Sequence, residues 1–179
     1  MGRGNIFLVG MMGAGKTTLG KALAQRLGLG FVDIDRVLVE KTGVPVATIF
    51  EIEGEQGFRR REACALANAA AGSSCVIATG GGAVLAEENR RLMRDNGTVV
   101  YLRARLESLW ERTRHDHARP LLKTPDPRGT LERLLAEREP LYREAAHVVV
   151  DTGSHTAAAA LARVLAALKA HGALAGQDG

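Results

Sequence analysis

Gly10-Met11-Met12-Gly13-Ala14-Gly15-Lys16-Thr17 fills the pattern G-x-x-x-x-G-K-[ST], between a short apolar run, Ile6 to Val9, and a helical period beginning near Lys16. The pattern carries a mechanism. Glycines let the backbone curl until successive N–H groups converge on phosphate oxygens, the following helix adds its positive N-terminus, and the lysine places an ammonium between the outer phosphates. Gly13, Ala14, Gly15, Lys16, Thr17 and Thr18 are therefore expected to cradle a nucleoside triphosphate, with the Thr17 hydroxyl turned to Mg²⁺. The strand–loop–helix context separates this reading from a glycine-rich turn that binds nothing.

Further apolar runs rich in β-branched residues, Phe31–Ile34, Cys75–Thr79, Thr98–Leu102 and His147–Asp151, alternate with longer stretches of helical period. With Ile6–Val9 they predict five buried parallel strands linked by helices, an α/β fold with an open sheet covered on both faces. Ligands collect at the carboxyl ends of such strands. The candidate chemistry lies there: the phosphate loop after strand one, Asp33 and Asp35 closing strand two, and Gly80-Gly81-Gly82 after strand three. A length of 179 residues suits a single domain.

Between strands two and three, about Val46 to Ala71 reads as inserted helices turning near Gly54, with Ile49, Phe50, Ile52 and Phe58 as candidate walls of a substrate pocket. From about Thr113 to Gly129 the chain loses periodicity and holds three of its five prolines, which suits a lid. An Ala/Leu helix from about His155 leads to a tail, Ala173 to Gly179, expected to fray.

Composition excludes several classes. Hydrophobic residues make up 46% and charged residues 25%, an ordinary globular balance, and the apolar stretches are too short for a bilayer, so a soluble protein is expected. The first residues show no secretory pattern, and Cys64 and Cys75 are too few and wrongly spaced for a zinc site; free thiols in a reducing cytoplasm are expected. A net charge of +4 with a pI near 9.4 raises the question of nucleic acid, but the basic residues are scattered and aromatics reach only 4%. A small polyanion fits better: arginine outnumbers lysine 19 to 5, and its planar fork grips carboxylate and phosphate. No element shows a spare apolar face, so a monomer is expected.

Asp33 and Asp35 stand two apart at a strand end, so a persisting extended backbone points both toward the triphosphate. Asp33 is then expected to reach Mg²⁺ through water beside Thr17, and Asp35 to accept a hydrogen bond from a substrate hydroxyl. The competing reading makes Asp35 a helix N-cap. In Arg59-Arg60-Arg61-Glu62 the side chains fan about 100° apart on a helix. One arginine is expected to serve the pocket: Arg59, steered by Glu62 on the same face, with Arg60 and Arg61 solvated. Gly80-Gly81-Gly82 permits close backbone approach to a ligand. Arg119, in the proposed lid, is placed to meet phosphates as charge moves onto the leaving group. Arg138 stays open on its residues alone, between a ligand group and a partner for neighbouring glutamates. His115 and His117 flank Asp116 without an orienting partner, and no catalytic or metal role is expected of them.

The phosphate loop, Asp33/Asp35, Gly54-Glu55-Gln56 followed by Phe58-Arg59-Arg60, Gly80-Gly81-Gly82-Ala83-Val84, Arg119-Pro120-Leu121-Leu122 and Arg138-x-Pro140-Leu141-Tyr142 run in one order from about Ile6 to Asp151. In that order and spacing the sequence resembles the shikimate kinases. The resemblance implies a three-layer αβα P-loop NTPase fold of the nucleoside-monophosphate-kinase-like type. Its sheet order would be 2-3-1-4-5, with a substrate-binding region over about 33–62 and a lid over about 113–129. It also implies ATP, Mg²⁺ and transfer of the γ-phosphoryl group to the 3-hydroxyl of shikimate, on the chorismate route to aromatic amino acids.

Carried over residue by residue, the resemblance makes Asp35 the ligand and base of the reacting hydroxyl, with Arg59, Gly81 and Arg138 also holding shikimate, the two arginines at its carboxylate. Lys16 and Arg119 would contact phosphates, Thr17 and Asp33 would organise Mg²⁺, and Arg112 resembles the arginine that stacks on adenine. Because phosphoryl transfer is loose, positioning by Asp35 competes with proton abstraction as its contribution. Gly153-Ser154-His155 departs from the family pattern, lacking the proline or arginine often found there. A sister enzyme resembling gluconate kinase would share the scaffold but not the G-E-Q-x-F-R and G-G-G-A-V strings, and a GTPase would want an N-K-x-D motif that the sequence lacks.

Overall fold

The computed structural model describes residues 4–153 and 155–174. Strands β1 (Asn5–Val9), β2 (Gly30–Asp33), β3 (Cys75–Ala78), β4 (Gly97–Arg103) and β5 (Val148–Asp151) form one parallel sheet in the order β2-β3-β1-β4-β5. The helices are α1 (Lys16–Leu27), α2 (Ile34–Thr42), α3 (Val46–Ala71), α4 (Glu87–Asn96), α5 (Leu106–Thr113), α6 (Pro127–Ala145) and α7 (Ala157–Ala170). Central β1 is buried at all five residues and shows no polar alternation, because helices cover both faces of the sheet. Helix α1 packs with α7 and against β2 and β3, whereas α4 and α6 pack together and over β4. The chain leaves β1 toward β2 and leaves β3 across to β4, so the sheet's crevice opens outside the carboxyl ends of β1 and β3.

Several boundaries differ from the sequence expectations, and four of them have a clear local reason. Strand β2 ends at Asp33, because the Asp33 carboxylate caps α2, accepting hydrogen bonds from the N–H groups of Asp35 (3.0 Å) and Arg36 (3.4 Å). The extended backbone expected through residue 35 is therefore absent. The capping residue is Asp33, and Asp35 lies in the first helical turn. Strand β5 starts at Val148, with the His147 ring accepting the Val99 N–H through Nδ1 at 2.9 Å. Thr113 still belongs to α5, Pro120–Leu122 forms a 3₁₀ turn, and Asp126 caps α6 through Gly129 N–H, so the irregular segment is confined to 114–126.

Within α3 the helix breaks at Gly54, whose φ of 70° suits glycine, and the two halves enclose part of a cavity. Of the four apolar residues expected around that break, Phe50 and Phe58 line the cavity. Ile49 is buried in the core, and Ile52 is 76% exposed and does not line this cavity. Arg61 is not simply solvated: its guanidinium reaches across the break to both oxygens of Glu53, at 2.6 and 2.7 Å. Of the expected tail, Ala173 and Leu174 are described and the remainder lies outside the described residues.

Candidate active site

The loop after β1 turns through Gly10, Gly13 and Gly15, all at positive φ. A Cβ at Gly10 would stand 2.6 Å from the Leu102 carbonyl oxygen, so only glycine lets the loop lie this close to β4. Lys16 Nζ donates to the carbonyls of Gly10 (2.5 Å) and Met11 (2.9 Å). Burial, then the nearby Arg119 guanidinium, pulls its pKa down to about 7. Thr17 Oγ1 donates to Asp33 Oδ2 at 2.8 Å, which joins α1 to the end of β2. Asp33 thus uses one carboxylate oxygen as helix cap and turns the other toward the loop. The Arg112 guanidinium, from α5, donates to the Gly13 carbonyl at 2.9 Å.

Above the loop lies a cleft of about 290 Å³ walled by Lys16, Thr17, Asp33, Arg112 and Arg119. Beside it opens a cavity of about 420 Å³. Its polar side carries Asp35, Arg59, Glu62 and Arg138, and its apolar side Val39, Val46, Phe50, Phe58 and Leu121. Asp35, Gly80, Gly81 and Arg119 belong to both walls. Burial, reinforced by the Asp33 charge, raises the Asp35 pKa, while Lys16, Arg119 and Arg59 oppose the rise. A third recess of about 200 Å³ adjoins Gly15 and is bounded by Arg112, Thr152, His155 and Ala157. Ser154, one of the residues departing from the family pattern, lies outside the described residues.

Arg59 donates to the fully buried Glu62 at 2.9 Å, the pairing their spacing predicts. Burial raises the Glu62 pKa, and the Arg59 charge pulls against it. A Cβ at Gly80 would overlap the Glu62 carboxylate, and one at Gly82 the Arg59 guanidinium. A side chain at Gly80 or Gly82 would thus displace the ends of these two groups from the turn, a consequence the sequence reading did not contain. Arg138, undecided from its neighbours, is 2% exposed and lines the cavity, with no ion pair to the glutamates beside it among the described residues.

Two contributors escaped sequence reasoning. Asp116 accepts from the Ala118 N–H at 2.9 Å and from Arg119 Nε at 2.9 Å, and these bonds, the first above all, hold its pKa below the usual carboxylate value. The i,i+3 spacing of Asp116 and Arg119 was the available signal. Tyr142, at the end of the Arg138-x-Pro140-Leu141-Tyr142 string, donates to the Gly81 carbonyl at 2.6 Å. Nothing local in the sequence announced that bond. His115 and His117 line none of the three cavities.

A phosphate loop opening into a second, arginine-lined cavity, with one carboxylate in the shared wall, defines a P-loop kinase of small molecules. Comparison with known proteins narrows the class. A family model described as shikimate kinase matches residues 12–169. The shikimate kinase of Dechloromonas aromatica is 56% identical over 163 residues, 91% of this chain and 88% of the relative. That of Bordetella avium is 54% identical over 166 residues, 93% and 79% of the two chains. The shikimate kinase from Acinetobacter baumannii, solved in complex with shikimate, has a TM-score of 0.91 at 43% identity over 93% of each chain. A gluconokinase from Sinorhizobium meliloti, at 19% identity and TM-score 0.57, over 94% of this chain and 93% of its own, shares the fold alone. The chain belongs to the shikimate kinase family.

Proposed function

We propose that this protein transfers the γ-phosphoryl group of ATP to the 3-hydroxyl of shikimate, giving shikimate 3-phosphate and ADP in chorismate and aromatic amino-acid biosynthesis. The observation that carries this reading is Asp35 in the wall common to the phosphate cleft and the arginine-lined cavity. A hydroxyl held there faces the end of a triphosphate seated on the loop. Arg59 and Arg138 form a cationic end of the cavity suited to shikimate's carboxylate, the Gly81 backbone closes one side, and the apolar wall suits the carbon ring.

The loop amides of Gly13, Ala14 and Gly15, with Lys16 and Thr18, hold the polyphosphate, and Arg112 borders the recess that suits the adenine. Thr17 and Asp33 present oxygens at the cleft, a hard donor pair that fits Mg²⁺, an ion that takes one or two protein oxygens and fills its shell with water and phosphate. When bound, that ion neutralises charge developing between the β- and γ-phosphates. Asp35 accepts the hydrogen bond of the attacking hydroxyl and aligns it. Arg119, tethered by Asp116, meets the transferring group and helps to shut out water, so that ATP is not spent on hydrolysis. Every group in this scheme comes from one chain, which suits a monomer, and the free thiols of Cys64 and Cys75 suit a reducing cytoplasm. Among the described residues no helix is long and apolar enough to cross a membrane.

ADP release with and without shikimate tests the reading: release is expected to depend on shikimate, and equal release without it would make the protein an ATPase. A second expected result concerns protons. At pH 8 an ammonium of pKa about 7 is mostly neutral, and a bound polyphosphate restores its charge by raising the pKa. ATP binding at pH 8 is therefore expected to take up about 0.5–1 proton, falling toward zero near pH 6. Calorimetric titration in two buffers of different ionisation enthalpy measures it; net release at pH 8 contradicts it.

A further inference from the structure

We infer that Tyr142 is a positioning residue for the substrate: its hydroxyl sets both the Gly81–Gly82 peptide and the Arg138 guanidinium in the orientation that receives the substrate carboxylate. This rests on the reading above, in which Arg138 and Gly81 hold shikimate. Arg138 and Tyr142 stand four apart on α6 and so share one helix face. Tyr142 is fully buried, with its ring stacked on Tyr101 at a centroid distance of 5.0 Å.

The hydroxyl oxygen lies 2.6 Å from the Gly81 carbonyl oxygen and 3.4 Å from Met11 Sδ. A phenol has one proton and a thioether is a weak acceptor, so the proton goes to the carbonyl. The oxygen's lone pairs remain for Arg138, whose charge lies near enough to favour the phenolate and whose Nη1 would stand 3.4 Å from a Cβ at Gly81. In a trans peptide the C=O and the following N–H point in opposite directions, so anchoring the Gly81 carbonyl also fixes the direction of the Gly82 N–H. Gly81, Gly82 and Arg138 all wall the 420 Å³ cavity. One buried hydroxyl thus ties together two cavity walls contributed by separate elements. Burial pushes its pKa up to about 12, which keeps it a donor across the assay range. A role confined to packing would need only the ring, and phenylalanine supplies that.

Tyr142→Phe tests the assignment. Shikimate KM is expected to rise about tenfold, with ATP KM and kcat within about threefold of the parent. The rise is expected to be the same from pH 6 to 9. Added to Arg138→Met, the substitution is expected to raise shikimate KM by no more than a further factor of about three, because both act on one group. Tyr101→Phe serves as control, since that hydroxyl donates to Glu139 and borders none of the three cavities; shikimate KM is expected to stay unchanged. The assignment is overturned by a Tyr142→Phe shikimate KM within twofold of the parent, by both KM values rising together, by an equal rise in Tyr101→Phe, or by a Tyr142→Phe protein that does not fold. If Arg138→Met itself leaves shikimate KM unchanged, the underlying reading of the cavity fails. If Arg138→Met raises it and Tyr142→Phe does not, only the role of Tyr142 falls.

Discussion

Asp35→Asn is expected to lower kcat by about 10²–10⁴-fold while ATP affinity stays within about threefold of the parent. The substitution keeps the size of the side chain, so the first turn of α2 and the Asp33 cap survive. It removes the charge that draws the attacking hydroxyl, and it brings an amide donor toward Arg119 and Lys16, two cations that already oppose each other. ATP affinity is best compared near pH 6.5, because the Asp35 charge supports protonation of Lys16 and its loss lowers the lysine pKa further. Steady-state kinetics combined with nucleotide titration separates the two effects. A kcat within threefold of the parent removes Asp35 from the reaction. A loss of ATP binding equal to the loss of turnover shows that the phosphate cleft, and not the alignment of the alcohol, was damaged.

The second large effect is expected at Arg138. Arg138→Met keeps much of the length and apolar volume of the buried side chain but removes its charge and its fork of donors. Losing a charge-assisted grip on the substrate carboxylate costs about 3 kcal/mol when the second arginine, Arg59, remains. Shikimate KM is then expected to rise about 100-fold. Binding energy from the carboxylate end also serves to align the far hydroxyl, so kcat is expected to fall about tenfold as well. ATP KM is expected to hold, since the phosphate loop is untouched. A shikimate KM within threefold of the parent would falsify the placement of the carboxylate between Arg59 and Arg138.

The site is assembled from pieces of unequal legibility. The phosphate loop could be read at once, because eight consecutive residues hold the amides, the ammonium and the hydroxyl that the chemistry requires. The strands were legible for a related reason: burial on both faces leaves unbroken apolar runs, and β1 shows the strongest of them. The Arg59–Glu62 pair followed from a spacing within one helical turn. Asp33 and Asp35 were named as a pair, yet the extended backbone expected to carry both is absent, and the alternative that made one of them a helix cap picked Asp35 where Asp33 caps. Whether an aspartate at a strand end extends the strand or caps the following helix depends on which backbone N–H groups curl back to it, and that is settled only when the chain turns.

By itself the sequence determined the α/β alternation, the phosphate loop and the identity of the groups able to grip an anion and an alcohol, since each follows from residue types within a few positions of one another. Only the tertiary structure decided that Arg138 faces the cavity, that Glu62 and Arg59 press against Gly80 and Gly82, and that the Tyr142 hydroxyl lies against Gly81, 61 residues away. The physical reason is burial. A side chain's surroundings come from elements brought together by packing of the sheet and its helices, and no local spacing encodes which distant backbone group a buried donor will meet.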